Sequence, residues 1–231
     1  MKLVVLACMW KRPEIFRLFA DGLRRLQDKF DIVPLIVGSE GEASRSLCSG
    51  FWYIEHDNKP LGLKYNAGML AAQKLNPDYV MGMGSDDFIS DDTMAYILEC
   101  CKEGYDLIGF SDMWMYDTLT DRLGYWKGFT ARHRIGESMG MARTLSKRVL
   151  GKMHWMPRHN KANKGLDWTM TQKLKRIPHV THITSLKEKG LFAVDVKSKE
   201  NICSFDLYDT TPESKELLKQ IPELCGYSKD M

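Results

Sequence analysis

Gly84-Ser85-Asp86-Asp87-Phe88-Ile89 places two adjacent carboxylates at the end of an apolar run, Tyr79-Val80-Met81-Gly82-Met83, that reads as a buried strand. Neighbouring carboxylates at a strand end repel one another and need a partner. A hard divalent cation that also touches phosphate oxygens suits them, because Mg²⁺ accepts one or two protein carboxylates and otherwise keeps its waters. Ser90-Asp91-Asp92 reads differently, as the N-terminal cap of a helix over 92–103. A turn and cap account for Asp91 and Asp92 but leave Asp86 and Asp87 without a role.

Charge is the second feature able to do chemistry. Net charge is only +3, yet residues 122–164 hold eleven Lys or Arg against the single acid Glu137. Trp126, Phe129 and Trp155 lie among those cations, the pattern of a surface facing phosphates, although charge runs also form plain solvated helix faces. His154 and His159 fall in the same block as candidate metal or phosphate ligands; His179 and His182 flank a predicted strand. The six cysteines show no Cys-x-x-Cys spacing, which excludes a zinc knuckle and a disulfide framework and suits a reducing compartment.

The elements that must position these residues follow from the apolar periodicity. Lys2 to Ala7 is a buried strand, after which Pro13 opens a helix whose Phe16, Phe19, Leu23, Leu26 and Phe30 share one face. Strands follow at Ile32 to Val37, Phe51 to Ile54 and Tyr105 to Phe110, with a helix from about Lys64 to Leu75 that Asn76-Pro77 stops. Alternation of this kind predicts a mostly parallel sheet covered on both faces, with ligands beyond the carboxyl ends of the strands. Cys8 to Arg12, Gly38 to Glu40 and Ser85 to Asp87 would then share one rim. No Gly-x-Gly-x-x-Gly follows the first strand and no Gly-x-x-x-x-Gly-Lys occurs, which argues against a dinucleotide dehydrogenase and a P-loop NTPase.

Beyond Phe110 the pattern changes to a hairpin, Trp114-Met115-Tyr116 with Leu123 to Trp126. A short helix is predicted near Thr144 to Leu150, a further one from Gly165-Leu166-Asp167-Trp168 to about Lys175, a strand at Phe192 to Val196, and a surface-wrapping tail. At 231 residues the chain suits a single domain, and it contains no apolar run long enough to span a membrane. The expectation is a soluble, cytoplasmic protein without integral membrane contact.

Four segments in order over residues 3–175 resemble the family 2-type GT-A nucleotide-sugar glycosyltransferases: the first strand with Lys11-Arg12-Pro13, Gly62-Leu63-Lys64-Tyr65-Asn66-Ala67-Gly68, Ser85-Asp86-Asp87, and Gly165-Leu166-Asp167-Trp168. Tyr65 stands where the family usually has Arg, and Leu166 where a second acid often stands. The resemblance implies an α/β GT-A fold, a Rossmann-like, mostly parallel sheet flanked by helices, with a mixed acceptor-side half. It divides a single domain, 1–231, into a nucleotide-sugar half (1–110), an acceptor half (111–200) and a C-terminal tail (201–231).

Carried over, the resemblance makes Asp87 the metal ligand, with Asp86 sharing the Mg²⁺ or Mn²⁺ or holding the ribose. It makes Asp167 the catalytic base, and Cys8, Trp10, Arg12, Glu40, Lys64 and Asn66 donor contacts. One base and one displacement imply inversion with a nucleotide-diphosphate sugar, expected to be a UDP-sugar. On the acceptor side it places Trp126, Arg132, Arg134, Trp155 and Arg158. Acceptors in view are a saccharide or hydroxymethylated pyrimidines in DNA; viral members modify the latter, and such a protein would work in the host cytoplasm. A sugar nucleotidyltransferase and a non-catalytic nucleotide-sugar-binding module are the readings from other classes.

Overall fold

The computed structural model of the chain describes residues 1–201, 203–225 and 227. β1 (Leu3–Cys8) is apolar at every position because both of its faces are covered: Leu3, Val5 and Ala7 enter one core, Val4 and Leu6 the other. α1 (Pro13–Lys29) packs Phe16, Phe19, Leu23 and Leu26 into the first core. β2 (Ile32–Gly38), the short α2 (Glu42–Arg45) and β3 (Trp52–Glu55) follow, then α3 (Leu61–Lys74) and β4 (Tyr79–Gly84). α3 sits tight on the sheet because position 68 is glycine: a Cβ there would come within 2.6 Å of Leu6 Cδ1 and 2.8 Å of Val37 Cγ2.

After β4 come β5 (Asp87–Ile89) and α4 (Asp91–Lys102), the latter capped by Ser90, whose Oγ accepts the Thr93 N–H at 3.2 Å. β6 (Leu107–Phe110), then β7 (Met113–Asp117) and β8 (Arg122–Trp126) complete the middle of the chain, the last two forming the predicted hairpin. β9 (Arg143–Ser146), α5 (Lys147–Lys152), α6 (Leu166–Leu174), β10 (Thr181–Thr184), α7 (Leu186–Lys189), β11 (Ala193–Lys197) and β12 (Thr210–Glu213) follow.

Among the described residues the strands form two sheets. The larger runs β10-β6-β9-β4-β1-β2-β3 and is parallel except at β9; the smaller runs β12-β8-β7-β11-β5. The molecule is therefore a mixed α/β structure with a central, mostly parallel sheet flanked by helices. Cys8 lies opposite both Val37 and Gly84 in register, so the loops leaving β1, β2 and β4 share one rim. β5, continuing from the carboxylate turn, crosses into the second sheet and pairs antiparallel with β11.

Two expectations are corrected. Thr144 does not begin a helix: Arg143 to Ser146 is a strand buried on both faces between β4 and β6, and α5 starts at Lys147 behind a Ser146 cap. The two sheets do not follow chain order: β9 and β10 return to the larger sheet while β5 belongs to the smaller one. The tail does more than wrap the surface. Leu218, Ile221 and Leu224 are fully buried and Glu223 pairs with Arg25 at 2.8 Å; residues 202, 226 and 228–231 of the expected tail lie outside the described residues.

Candidate active site

A cleft of about 650 Å³ opens at the carboxyl ends of β1 and β4, between them and the second sheet. On one side the turn after β4 brings Asp86 and Asp87 to Asp195 of β11, with carboxylate oxygens of all three within 4.8 Å of one another. Asp87 and Asp195 are direct cross-strand partners, an arrangement that sets like charges face to face. Burial first, then the neighbouring Asp195 and Asp86, push the Asp87 carboxyl well above its usual range, although its Oδ2 accepts the Gly84 N–H at 2.5 Å. Burial also raises Asp195, against the pull of Lys197, whose Nζ donates to its Oδ2 at 2.5 Å.

Two cations stand against this cluster. Arg12, at the amino end of α1 with a left-handed backbone (φ 55), donates to Asp86 Oδ2 at 2.6 Å and to Ser85 Oγ at 3.1 Å. Burial works against its charge, but Asp86, with Asp195 and Asp87 behind it, outweighs this and raises the guanidinium above its ordinary value. Asn201 donates to the same Asp86 oxygen at 2.6 Å. Three carboxylates thus face two cations, and Asp195 Oδ1 is buried without a hydrogen-bond partner among the described residues. An oxygen-only set with an orphaned acceptor and unbalanced negative charge fits a hard divalent cation.

Asp167 lies elsewhere on the cleft wall, in the first turn of α6 behind Gly165, whose left-handed φ of 64 aims the chain into the helix. Its Oδ1 accepts from Arg158 Nη1 at 2.5 Å, and its side chain keeps 38% of its surface open against 5% for Arg158. Burial raises its carboxyl, but Arg158 and then Arg143 overcome this, and the net result is a carboxyl below its ordinary value. Gly140 makes the room: a Cβ there would collide with the Asp167 carboxylate.

Part of the cleft lining is aromatic. Trp126 packs edge-on to Phe129 (4.9 Å between ring centroids) and to Tyr208 (5.5 Å); Lys197 lies over Tyr208 and Arg134 over Phe129. The cleft thus gathers Cys8, Trp10, Arg12, Asp86, Asp87, Trp126, Arg158 and Asp167 from the residues singled out by sequence. Cys8 offers no thiolate, since burial pushes its thiol to about 12 despite the nearby Lys64 and Arg158.

Other candidates are spent elsewhere. Lys64 is fully buried below the rim, where its Nζ ties together Met9 O (2.5 Å), Ser39 Oγ (2.5 Å) and Asn58 Oδ1 (3.2 Å). Asn66 is also buried and clamps the backbone of Arg158 through N–H (3.0 Å) and C=O (2.9 Å). Glu40 is exposed outside the cleft lining and accepts the Lys11 N–H at 2.7 Å. Trp155 is packed in the core with Leu150, Met153 and Met170, so it cannot stack on a ligand.

Arg132 is exposed outside the cleft lining, and Arg134 pairs with Glu137 at 3.0 Å. With Arg143 buried, Arg148 on Asp106 and Arg158 on Asp167, much of the basic block serves internal partners rather than one phosphate-facing surface. His154 and His159 are both exposed and outside the cleft lining. The third acidic residue is Asp195, which sequence reasoning passed over. Its signal was the Asp195-x-Lys197 alternation, which puts an acid and a base on one strand face.

The rim belongs to a mixed α/β architecture with a central, mostly parallel sheet flanked by helices. Among solved structures it matches the crystal structure of S. aureus TarS 1–349, with a TM-score of 0.61 and 11% identity over 85% of this chain. That overlap spans 60% of the TarS chain, and at this identity it speaks for the fold alone. Bifunctional IspDF from Campylobacter jejuni overlaps more loosely, with a TM-score of 0.49 and 8% identity over 80% of this chain and 50% of that one. No family model and no curated protein matches the sequence. No helix among the described residues is long and apolar enough to cross a membrane.

Proposed function

We propose that the chain is a metal-dependent glycosyltransferase that moves a sugar from a nucleotide-diphosphate donor, a UDP-sugar in our reading, to an acceptor hydroxyl with inversion. The observation that carries this is the presence in one cleft of two acidic centres with opposite electrostatic settings. Asp86, Asp87 and Asp195 are crowded and short of positive charge, whereas Asp167 is held ionised by Arg158 and Arg143. The first set suits Mg²⁺ or Mn²⁺ and the second suits proton acceptance. A cation bound at the first set would neutralise the diphosphate as it leaves, stabilisation needed chiefly in the transition state.

Arg12 and Lys197, now paired with Asp86 and Asp195, would turn toward phosphate oxygens. Asp167 would take the proton of the attacking hydroxyl, a role that requires hydrogen-bond reach more than an unusual pKa. A cleft of about 650 Å³ is within the range that holds a nucleotide sugar. A saccharide acceptor is favoured over hydroxymethylated DNA because much of the basic block that motivated DNA is paired internally.

The test is nucleoside diphosphate release from a panel of nucleotide sugars, with and without Mg²⁺ or Mn²⁺, alongside thermal shift. Cation-dependent release from one donor, slow without acceptor, supports the proposal. Binding of donors with no turnover under any condition would leave a binding module instead. Release of pyrophosphate from a nucleoside triphosphate and a sugar phosphate would indicate a nucleotidyltransferase.

A further inference from the structure

The pair formed by Arg158 and Asp167 is built for more than stability. Arg158 is 5% exposed and fixed from several sides: Asn66 holds its backbone N–H and C=O, and Lys173 Nζ donates to the same carbonyl at 3.0 Å. The Tyr65 ring lies beneath its guanidinium at 5.2 Å. Its Nε is buried with no hydrogen-bond partner, so the carboxylate of Asp167 is the one anion its side chain meets among the described residues. Asp167 is partly open to the cleft, and its Oδ2 takes no hydrogen bond among the described residues. A buried ion pair is weak evidence for stability, because an apolar pair of similar volume often serves as well. A rigid cation fastened to one oxygen of a cleft-facing acid does serve to aim the other oxygen.

We infer that Arg158 is the positioning residue for Asp167: it clamps Oδ1 and leaves Oδ2 as the oxygen that meets the acceptor hydroxyl. This rests on the glycosyl-transfer reading for the identity of the acceptor, but not for the clamp itself. Charged groups around Asp167 are Arg158, then Arg143, whose Nη1 donates to the Asp167 main-chain carbonyl at 3.3 Å, and Arg134 farther out; Tyr65 is the neighbouring neutral titratable group. Without Arg158, desolvation of Asp167 would be opposed by Arg143 and Arg134 alone. The carboxyl should then titrate higher, by the ~1–3 units an adjacent opposite charge is worth.

The experiment uses the full chain with Arg158→Met, which keeps the volume, and Arg158→Lys, which keeps the charge. The Asp167 carboxyl carbon is followed by NMR titration, its signal assigned with Asp167→Asn, and the pH dependence of kcat is measured on the same proteins. The expected result is a midpoint raised by about one unit or more in Arg158→Met, an acid limb of kcat that moves with it, and substantial return in Arg158→Lys. A midpoint and acid limb unchanged in Arg158→Met, with activity falling only as the folded fraction falls, would overturn the inference. Absence of turnover in the parent protein would defeat the glycosyl-transfer reading, yet the NMR midpoint would still decide whether Arg158 governs Asp167.

Discussion

Asp87 and Asp195 face each other across two strands, and both titrate upward. A carboxyl whose folded pKa lies above its unfolded value contributes stability at pH below the unfolded value, and that contribution is lost as pH rises through the folded value. The metal-free protein should therefore melt higher in mild acid than near neutrality on account of this pair, and Mn²⁺ should erase much of the difference. Asp87→Asn should raise the metal-free melting temperature near neutral pH, at ~2–4 °C per kcal/mol for a chain of this size, while abolishing the cation-induced shift and most turnover. A lower melting temperature that still responds to Mn²⁺ would contradict this. For Gly140→Ala, the new Cβ must displace the Asp167 carboxylate; turnover should fall by about a hundredfold with donor affinity, measured by calorimetry, unchanged. Asp86 and Asp87 could be read from sequence because they are adjacent. Asp195 could not, because only strand pairing brings it to them, and Trp155 misled because an indole among cations looks the same in sequence whether it stacks on a ligand or fills a core.

Helix α3 shows how an element can serve a site it barely touches. Its Lys64 ties the loops after β1, β2 and β3, and its Asn66 ties the loop that carries Arg158. Their place in a motif makes both donor contacts by resemblance; in the fold both are buried, where each polar atom must find a partner. Asn66→Ala should cost about 1–3 kcal/mol in chemical denaturation, since it leaves buried backbone groups of Arg158 unpaired, and should lower turnover without changing donor affinity. A drop in donor affinity matching the drop in turnover would return Asn66 to the donor site. The long amphipathic and fully buried elements were readable because their periods are unambiguous. β9 was not, since a four-residue strand buried on both faces has no period to detect, although Ser146 did mark the true start of α5.

The C-terminal segment closes the core against α1. Leu218, Ile221 and Leu224 are each fully buried, and three such side chains represent about 5–9 kcal/mol of apolar burial, comparable with the ~5–15 kcal/mol stability of a whole domain. A chain ending at Glu213 should lose cooperative urea unfolding and become protease-sensitive throughout; retention of a sharp transition would show that the segment is dispensable. Mixed charge and two prolines hid this role, because a segment that folds back in 3₁₀ turns carries no regular apolar repeat. The position of β9 governs how the chain can reach this state at all. Because Arg143 to Ser146 pairs with β4 on one side and β6 on the other, β4 has only β1 beside it and β6 has no partner until that much of the polypeptide has emerged from the ribosome. Until then β4 is an open edge that invites pairing with another chain. Folding should accordingly be slow and late, dominated by non-local pairing, and a nascent chain halted at Phe110 should need a chaperone to stay in solution.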